Sequence, residues 1–168
     1  MNAILPFLRN VRGSAAVEMA LVLPLLLILM MGSAELGNYF MNEHSLVKAV
    51  RDGARFAGRQ SFTNYTACSG APGGAVVAET RAVVMNGYLS GGTLVTPNVQ
   101  AANISVTTSC ATAVGGQTMQ GIYRGRANGA QIVTVSATVN YRPILQSFGF
   151  RGVGMQLNAA SQAVVTGI

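Results

Sequence analysis

The apolar residues of this chain follow two periodicities in succession. Residues 15–34 are almost unbroken in apolar or small side chains, running through MALVLPLLLILMMGSA with Glu18 as the one charge. About 17–20 such residues suffice for a helix to cross the hydrocarbon layer, so this stretch predicts a membrane span. Between residues 33 and 59, Leu36, Tyr39, Phe40, Leu46, Val47, Val50, Ala54 and Ala57 recur mostly three and four apart, which predicts an amphipathic helix continuing the span. The two together predict one rod from Ser14 to Gly58, about 65 Å long at 1.5 Å per residue. Pro24 removes a backbone donor inside it and predicts a helix kink. Gly53 and Gly58 read as interruptions, the second of them the end of the helix, while the small side chains at Gly53, Ala54 and Ala57 equally permit close helix packing, and the sequence does not separate these uses.

Beyond residue 60 the chain turns polar and rich in Gly, Ser, Thr and Asn. Residues 75–89 predict a short helix with Val76, Val77, Thr80, Val83, Val84 and Tyr88 on one side, ended by Gly91-Gly92. Period-two alternation then predicts strands at 99–110 (Ile104, Val106, Thr108 and Cys110 on one face), at 131–142 (Val133, Val135, Ala137, Val139 and Tyr141) and at 155–166. Gly115-Gly116 and Asn128-Gly129 read as turns, residues 118–124 as a fourth strand in a hairpin, and Pro143 as a strand end. Short connections favour antiparallel pairing. The expected fold is α+β: a long N-terminal transmembrane and amphipathic helix, then a small domain of one short helix and an antiparallel sheet of three or four strands. The expected division is a leader at 1–13, the helix at 14–59 and an extracytoplasmic domain at 60–168.

Charge adds an orientation. The chain has a formal net charge of +6 with only 10% charged residues. Arg9 and Arg12 precede the span with no acidic residue before them, which predicts a cytoplasmic N-terminus and a periplasmic C-terminal domain. Arg51, Arg55 and Arg59 lie four apart near the C-terminal end of the long helix, where cations complement its dipole; a solvated face is the ordinary reading of such a stripe, and a docking surface for an acidic neighbour or anionic headgroups is the alternative. The basic residues form no single patch and are not interleaved with aromatics, so nucleic acid is excluded as a partner. Cys68 and Cys110 both fall in the polar region. In an oxidising compartment such a pair invites one disulfide; two reduced, buried thiols are the alternative, and export favours the bridge.

Little in the chain can do chemistry. His44 is the sole histidine, and Glu79 the sole carboxylate side chain beyond Asp52. No metal set, carboxylate pair, nucleophile elbow or phosphate loop can be assembled, so neither an enzyme nor a cofactor is expected.

The N-terminus carries the most information. A conventional signal peptide, cut near Gly32, Ser33 and Ala34, is opposed by Glu18 within the apolar run and by the helical pattern that continues past Ala34. A carboxylate in a span costs about 2.5–3.5 kcal/mol, so Glu18 needs either headgroups at the membrane edge or a cation. Cleavage after Gly13 would create one, because a neighbouring subunit's new α-amino group at Ser14 would lie about one helical turn from Glu18.

The order Arg12-Gly13, Ser14-Ala15-Ala16-Val17-Glu18 and then an apolar helix resembles the class III signal of type IV prepilins. More narrowly, RGSAAVEMALVLPLLLILMMGSAELGNYF followed by VRDGARFAGR resembles the TadE-like and TadG-like proteins of tight-adherence (Flp-type) pilus systems. Met19 stands where that family often has Phe or Tyr; being apolar and helix-favouring, it preserves insertion and bears on processing. The resemblance implies a minor pilin or pseudopilin, cut between Gly13 and Ser14 by a prepilin peptidase, with Glu18 used in assembly. Its implied partners are other pilin and pseudopilin subunits, the inner-membrane pilus assembly platform and membrane lipid, and its place is the inner membrane, single-pass, and the surface pilus. The alternative is a single-span membrane-anchored periplasmic binding or scaffold protein that keeps its leader.

Overall fold

The computed structural model describes residues 13–149 and 154–167, so residues 1–12 of the expected leader lie outside the described residues. The first element, α1, is a single helix over Ser14–Gly58. Leu, Met and Ala dominate its first half and favour helix, and Pro24 sits inside it without ending it. Gly53 does not interrupt it either: it is buried, and a Cβ there would run into Val84 Cγ2. The glycine serves close packing, which a sequence pattern cannot tell from a helix break.

The second helix, α2, covers Val76–Asn86 and turns Val76, Thr80 and Val84 inward. It stops earlier than the Gly91-Gly92 pair suggests. Gly87 takes a left-handed φ of 75° and its N–H caps Val83 O at 2.8 Å, leaving Tyr88 beyond the helix and 66% exposed.

Five strands follow: β1 (Ile104–Ala111), β2 (Ala113–Val114), β3 (Gln117–Thr118), β4 (Ala130–Asn140) and β5 (Gln156–Val164). The main sheet has the order β1-β4-β5, antiparallel throughout, with β4 in the centre. Its register aligns Ile104, Ala137 and Ala159 in one row and Val106, Val135 and Ser161 in the next. Period two then sends Ile104, Val106, Val133, Val135, Ala137, Val139 and Leu157 to the same side. The α+β class and the antiparallel sheet are as the alternation predicts.

Residues 118–124 depart from expectation. Thr118 ends a two-residue ladder with β2, closed by Gly115-Gly116, and Gly121–Tyr123 form a 3-10 turn instead of a fourth strand of the main sheet. The φ of 67° at Gly121 takes the backbone out of extended geometry. Tyr123 instead reaches back to donate its hydroxyl to Val165 O at 2.8 Å.

The second half of α1 lies on the inner face of the sheet over β4 and β5, with α2 beside it toward β1. Leu46, Ala49, Val50, Ala54 and Ala57 form its buried stripe. Small residues set how closely it approaches: a Cβ on Gly58 would sit 3.0 Å from Val164 O. Leu36 and Phe40, which the periodicity places on the same stripe, are instead 56% and 48% exposed. They belong to the apolar surface that continues from the span.

The end of α1 is stitched to the sheet through its last carbonyls, which have no partner within the helix. Tyr65 donates its hydroxyl to Ala57 O at 2.5 Å, and Thr166 N–H donates to Gly58 O at 2.7 Å. The Gln131 amide of β4 donates in turn to Tyr65 O. Burial pushes the Tyr65 phenol up to about 12. A bond between Cys68 and Cys110 ties the following loop to β1, and Thr108 N–H donates to Gly70 O at 2.7 Å, which covers part of that sheet edge.

Two predictions follow from these ties. Replacing both cysteines by serine should lower unfolding free energy by about 4 kcal/mol, the chain-entropy figure for this loop; unchanged urea midpoints would show that the bridge does not constrain the unfolded chain. For Tyr65, a folded-state pKa raised above the unfolded one means stability is full below pH 10 and declines as pH rises toward 12. Urea midpoints across that range should therefore fall less steeply in Tyr65→Phe than in the wild type.

Candidate functional site

From Ala15 to Met30, α1 is exposed along its whole length. An 18-residue window within it has a mean hydropathy of 2.3 and none of it is buried. Leu25, Leu26, Leu27 and Ile28, which follow one another around all sides of the helix, are each at least 45% exposed. An all-round apolar helix with no protein around it is stable only with lipid or neighbouring helices against it. It is long and apolar enough to cross a membrane, which suits a single-pass anchor.

The residues singled out in the sequence fall along this free half. Gly13 is the N-cap and Ser14 the first helical residue. Glu18 and Met19, about one turn on, are exposed, and no partner within the described residues approaches the Glu18 carboxylate. Pro24 lies a further turn and a half along. Cys68 and Cys110 are far from them, joined to each other in the outer domain. His44 is exposed on α1, and Arg51, Arg55 and Arg59 are exposed too, with Arg55 paired to Asp52 at 3.8 Å.

One functional residue escapes the sequence pattern. Glu35 sits where α1 passes from its free half to its packed half and is only 9% exposed. Its Oε1 accepts from the Tyr141 hydroxyl at 2.5 Å and from Ile144 N–H at 3.2 Å, and its Oε2 accepts from Leu145 N–H at 3.1 Å. Asn38, one turn further along α1, donates its amide to the same hydroxyl at 2.7 Å. The Tyr39 ring meets the Tyr141 ring edge-on, with centroids 5.2 Å apart. Burial, and then the Glu35 carboxylate, push the Tyr141 phenol above its ordinary value, so it stays a donor.

A helix, the end of β4 and the turn at Ile144–Phe148 are thereby locked at the base of the outer domain. Hydrogen bonds to a charged acceptor are worth more than neutral ones, and several converge here. The only sequence signal for this contact is a carboxylate at the close of an apolar run. Tyr141 is 106 residues away, and nothing local connects them.

Taken together these features define an α+β protein with one free apolar helix and a domain clamped to that helix's exit. Residues 13–55 match the family model described as TadE-like protein. This is the family that RGSAAVE and the apolar helix resemble, and it suggests involvement in tight-adherence pilus systems, a structural setting rather than a catalytic one. The match ends within α1, so the sheet domain lies outside it. No curated protein and no solved structure matches the chain.

Removing the clamp's acceptor strands a buried hydroxyl and two backbone donors. Glu35→Ala should cost about 2–4 kcal/mol in denaturant unfolding, and Tyr141→Phe less, about 1 kcal/mol. The double variant should cost less than the sum of the two; strict additivity would show that these side chains do not act as a unit.

Proposed function

We propose that the chain is a minor pilin or pseudopilin that takes part in initiating, capping or priming a tight-adherence pilus. In this reading a prepilin peptidase removes the leader after Gly13, and the subunit waits in the inner membrane with its domain on the periplasmic side. The assembly platform then draws it toward other pilin subunits. The observation that supports this most is the position of Gly13-Ser14 at the head of a helix whose first half is apolar, unburied and TadE-like.

The physical logic runs through Glu18. In lipid the carboxylate is costly, and cleavage supplies the compensating charge on a neighbour, because a new α-amine at Ser14 lies one turn away on an adjacent parallel helix. Helices that pair this way are held at a fixed axial offset, so the charge sets stagger as well as affinity. The outer domain, clamped at Glu35, is carried along with a defined orientation. The alternative, a single-span periplasmic scaffold with an intact leader, keeps the same fold and gives Glu18 no partner.

The deciding measurement is the mature N-terminus of protein taken from its native membrane, by intact-mass and terminal-peptide mass spectrometry. A start at Ser14 is expected, whereas an intact Met1 leader would favour the scaffold. Glu18→Ala should leave membrane insertion intact while strongly reducing incorporation into surface pili; unchanged incorporation would remove the charge-pairing step.

A further inference from the structure

Where the span meets the outer domain, α1 and the base of the domain enclose a trough of about 510 Å³. Its walls are Ile28, Met31, Leu36 and Phe40 from α1 and Leu145 and Met155 from the domain. Such a volume falls within the range of about 300–1,000 Å³ that small-molecule sites occupy. The trough is not a packing defect of the core. Ile28, Leu36, Phe40 and Met155 are all at least 43% exposed, and the surface runs without interruption into the bare helix below.

Beside it lies a second recess of different character. Asn38, Asn42, Arg142, Gln146 and Ser147 line it, and it shares Pro143 with the trough. Arg142 is exposed and has no carboxylate partner among the described residues. The nearby Glu35 makes no salt bridge with Arg142, its oxygens instead accepting from Tyr141, Ile144 and Leu145. An apolar trough adjoining an uncompensated cation and a set of amides is complementary to an amphiphile with an anionic head.

The level of these recesses identifies the source. If residues 15–34 span the bilayer, the trough begins at Ile28, inside the hydrocarbon, and Arg142 stands just beyond it at headgroup height. We propose that the two recesses bind one anionic phospholipid from the leaflet on the domain's side, with its phosphate against Arg142 and an acyl chain running from Phe40 and Leu145 past Leu36 toward Ile28. This rests on the reading of α1 as a membrane span. The lipid covers apolar surface that the fold leaves open and braces the domain against the bilayer.

The test uses the full-length chain, purified in mild detergent and examined by native mass spectrometry with added phosphatidylglycerol or phosphatidylcholine. One bound phosphatidylglycerol is expected, retained about fivefold better than phosphatidylcholine, the factor that one basic residue supplies near anionic lipid. Arg142→Gln should abolish the preference, and Phe40→Ser should weaken retention of both lipids. Both residues are exposed, so the variants should keep their fold, which circular dichroism checks.

Equal retention of both lipids by the wild type and the variants would overturn the proposal. So would full displacement by inorganic phosphate alone, which would mark a plain anion site, or a lipid-free dimer that Phe40→Ser dissociates, which would give the trough to a second copy. Carbonate extraction of native membranes separates the two levels of inference. Release of the chain into the supernatant sinks the span and the lipid site together, whereas a chain that stays in the membrane yet retains no lipid sinks the lipid site alone.

Discussion

One helix serves two environments without a break, and the domain's construction follows from that constraint. The first half of α1 leaves its apolar surface uncovered, while the second half is the central support of a three-stranded sheet. The sheet alone is too small to bury its own inner face. Val106, Val135 and Val139 are buried because α1 and α2 lie over them. Ala49, Gly53, Ala54, Ala57 and Gly58 let those elements approach to backbone distance, so side-chain size along one stripe of α1 decides whether the domain closes.

The transition between environments is fastened at both ends. At the far end, the last carbonyls of α1 are taken by Tyr65 and by the backbone of Thr166. At the near end, Glu35 gathers a phenol and two backbone donors from the turn after β4. A buried carboxylate is costly to bring out of water, and it is tolerable here because each oxygen has a donor. The contact also fixes direction. With Tyr141 and Tyr39 stacked edge-on beside it, the domain cannot swivel about the helix without stranding all three groups.

This arrangement leaves the exposed half of α1 to be covered by lipid or by other helices, while the bonds at Glu35 hold the turn after β4 against the helix. The disulfide and the loop over β1 serve a separate purpose, tying the segment that follows α1 to an edge strand of the sheet.

The sequence by itself determined the elements whose evidence is local. An unbroken apolar run can only be a span or a core helix, and alternation in ISVTTSC and QIVTVSATV leaves one face of each strand inward. The string from Gly13 to Glu18 and the apolar run after it were equally legible, because they are contiguous, and the TadE-like match covers them. What only the tertiary structure decided was which apolar residues are buried and which polar ones are used. Leu36 and Phe40 share a periodicity with Leu46 and Val50, yet the first pair faces outward, since hydrophobicity does not say whether lipid or protein will cover a side chain. Gly53 read equally as a break or a packing contact and is a contact, and Gly121 turned an expected strand into a 3-10 turn. Glu35 had no visible partner until folding brought Tyr141 to it across 106 residues, and a contact of that span leaves no trace in any local pattern.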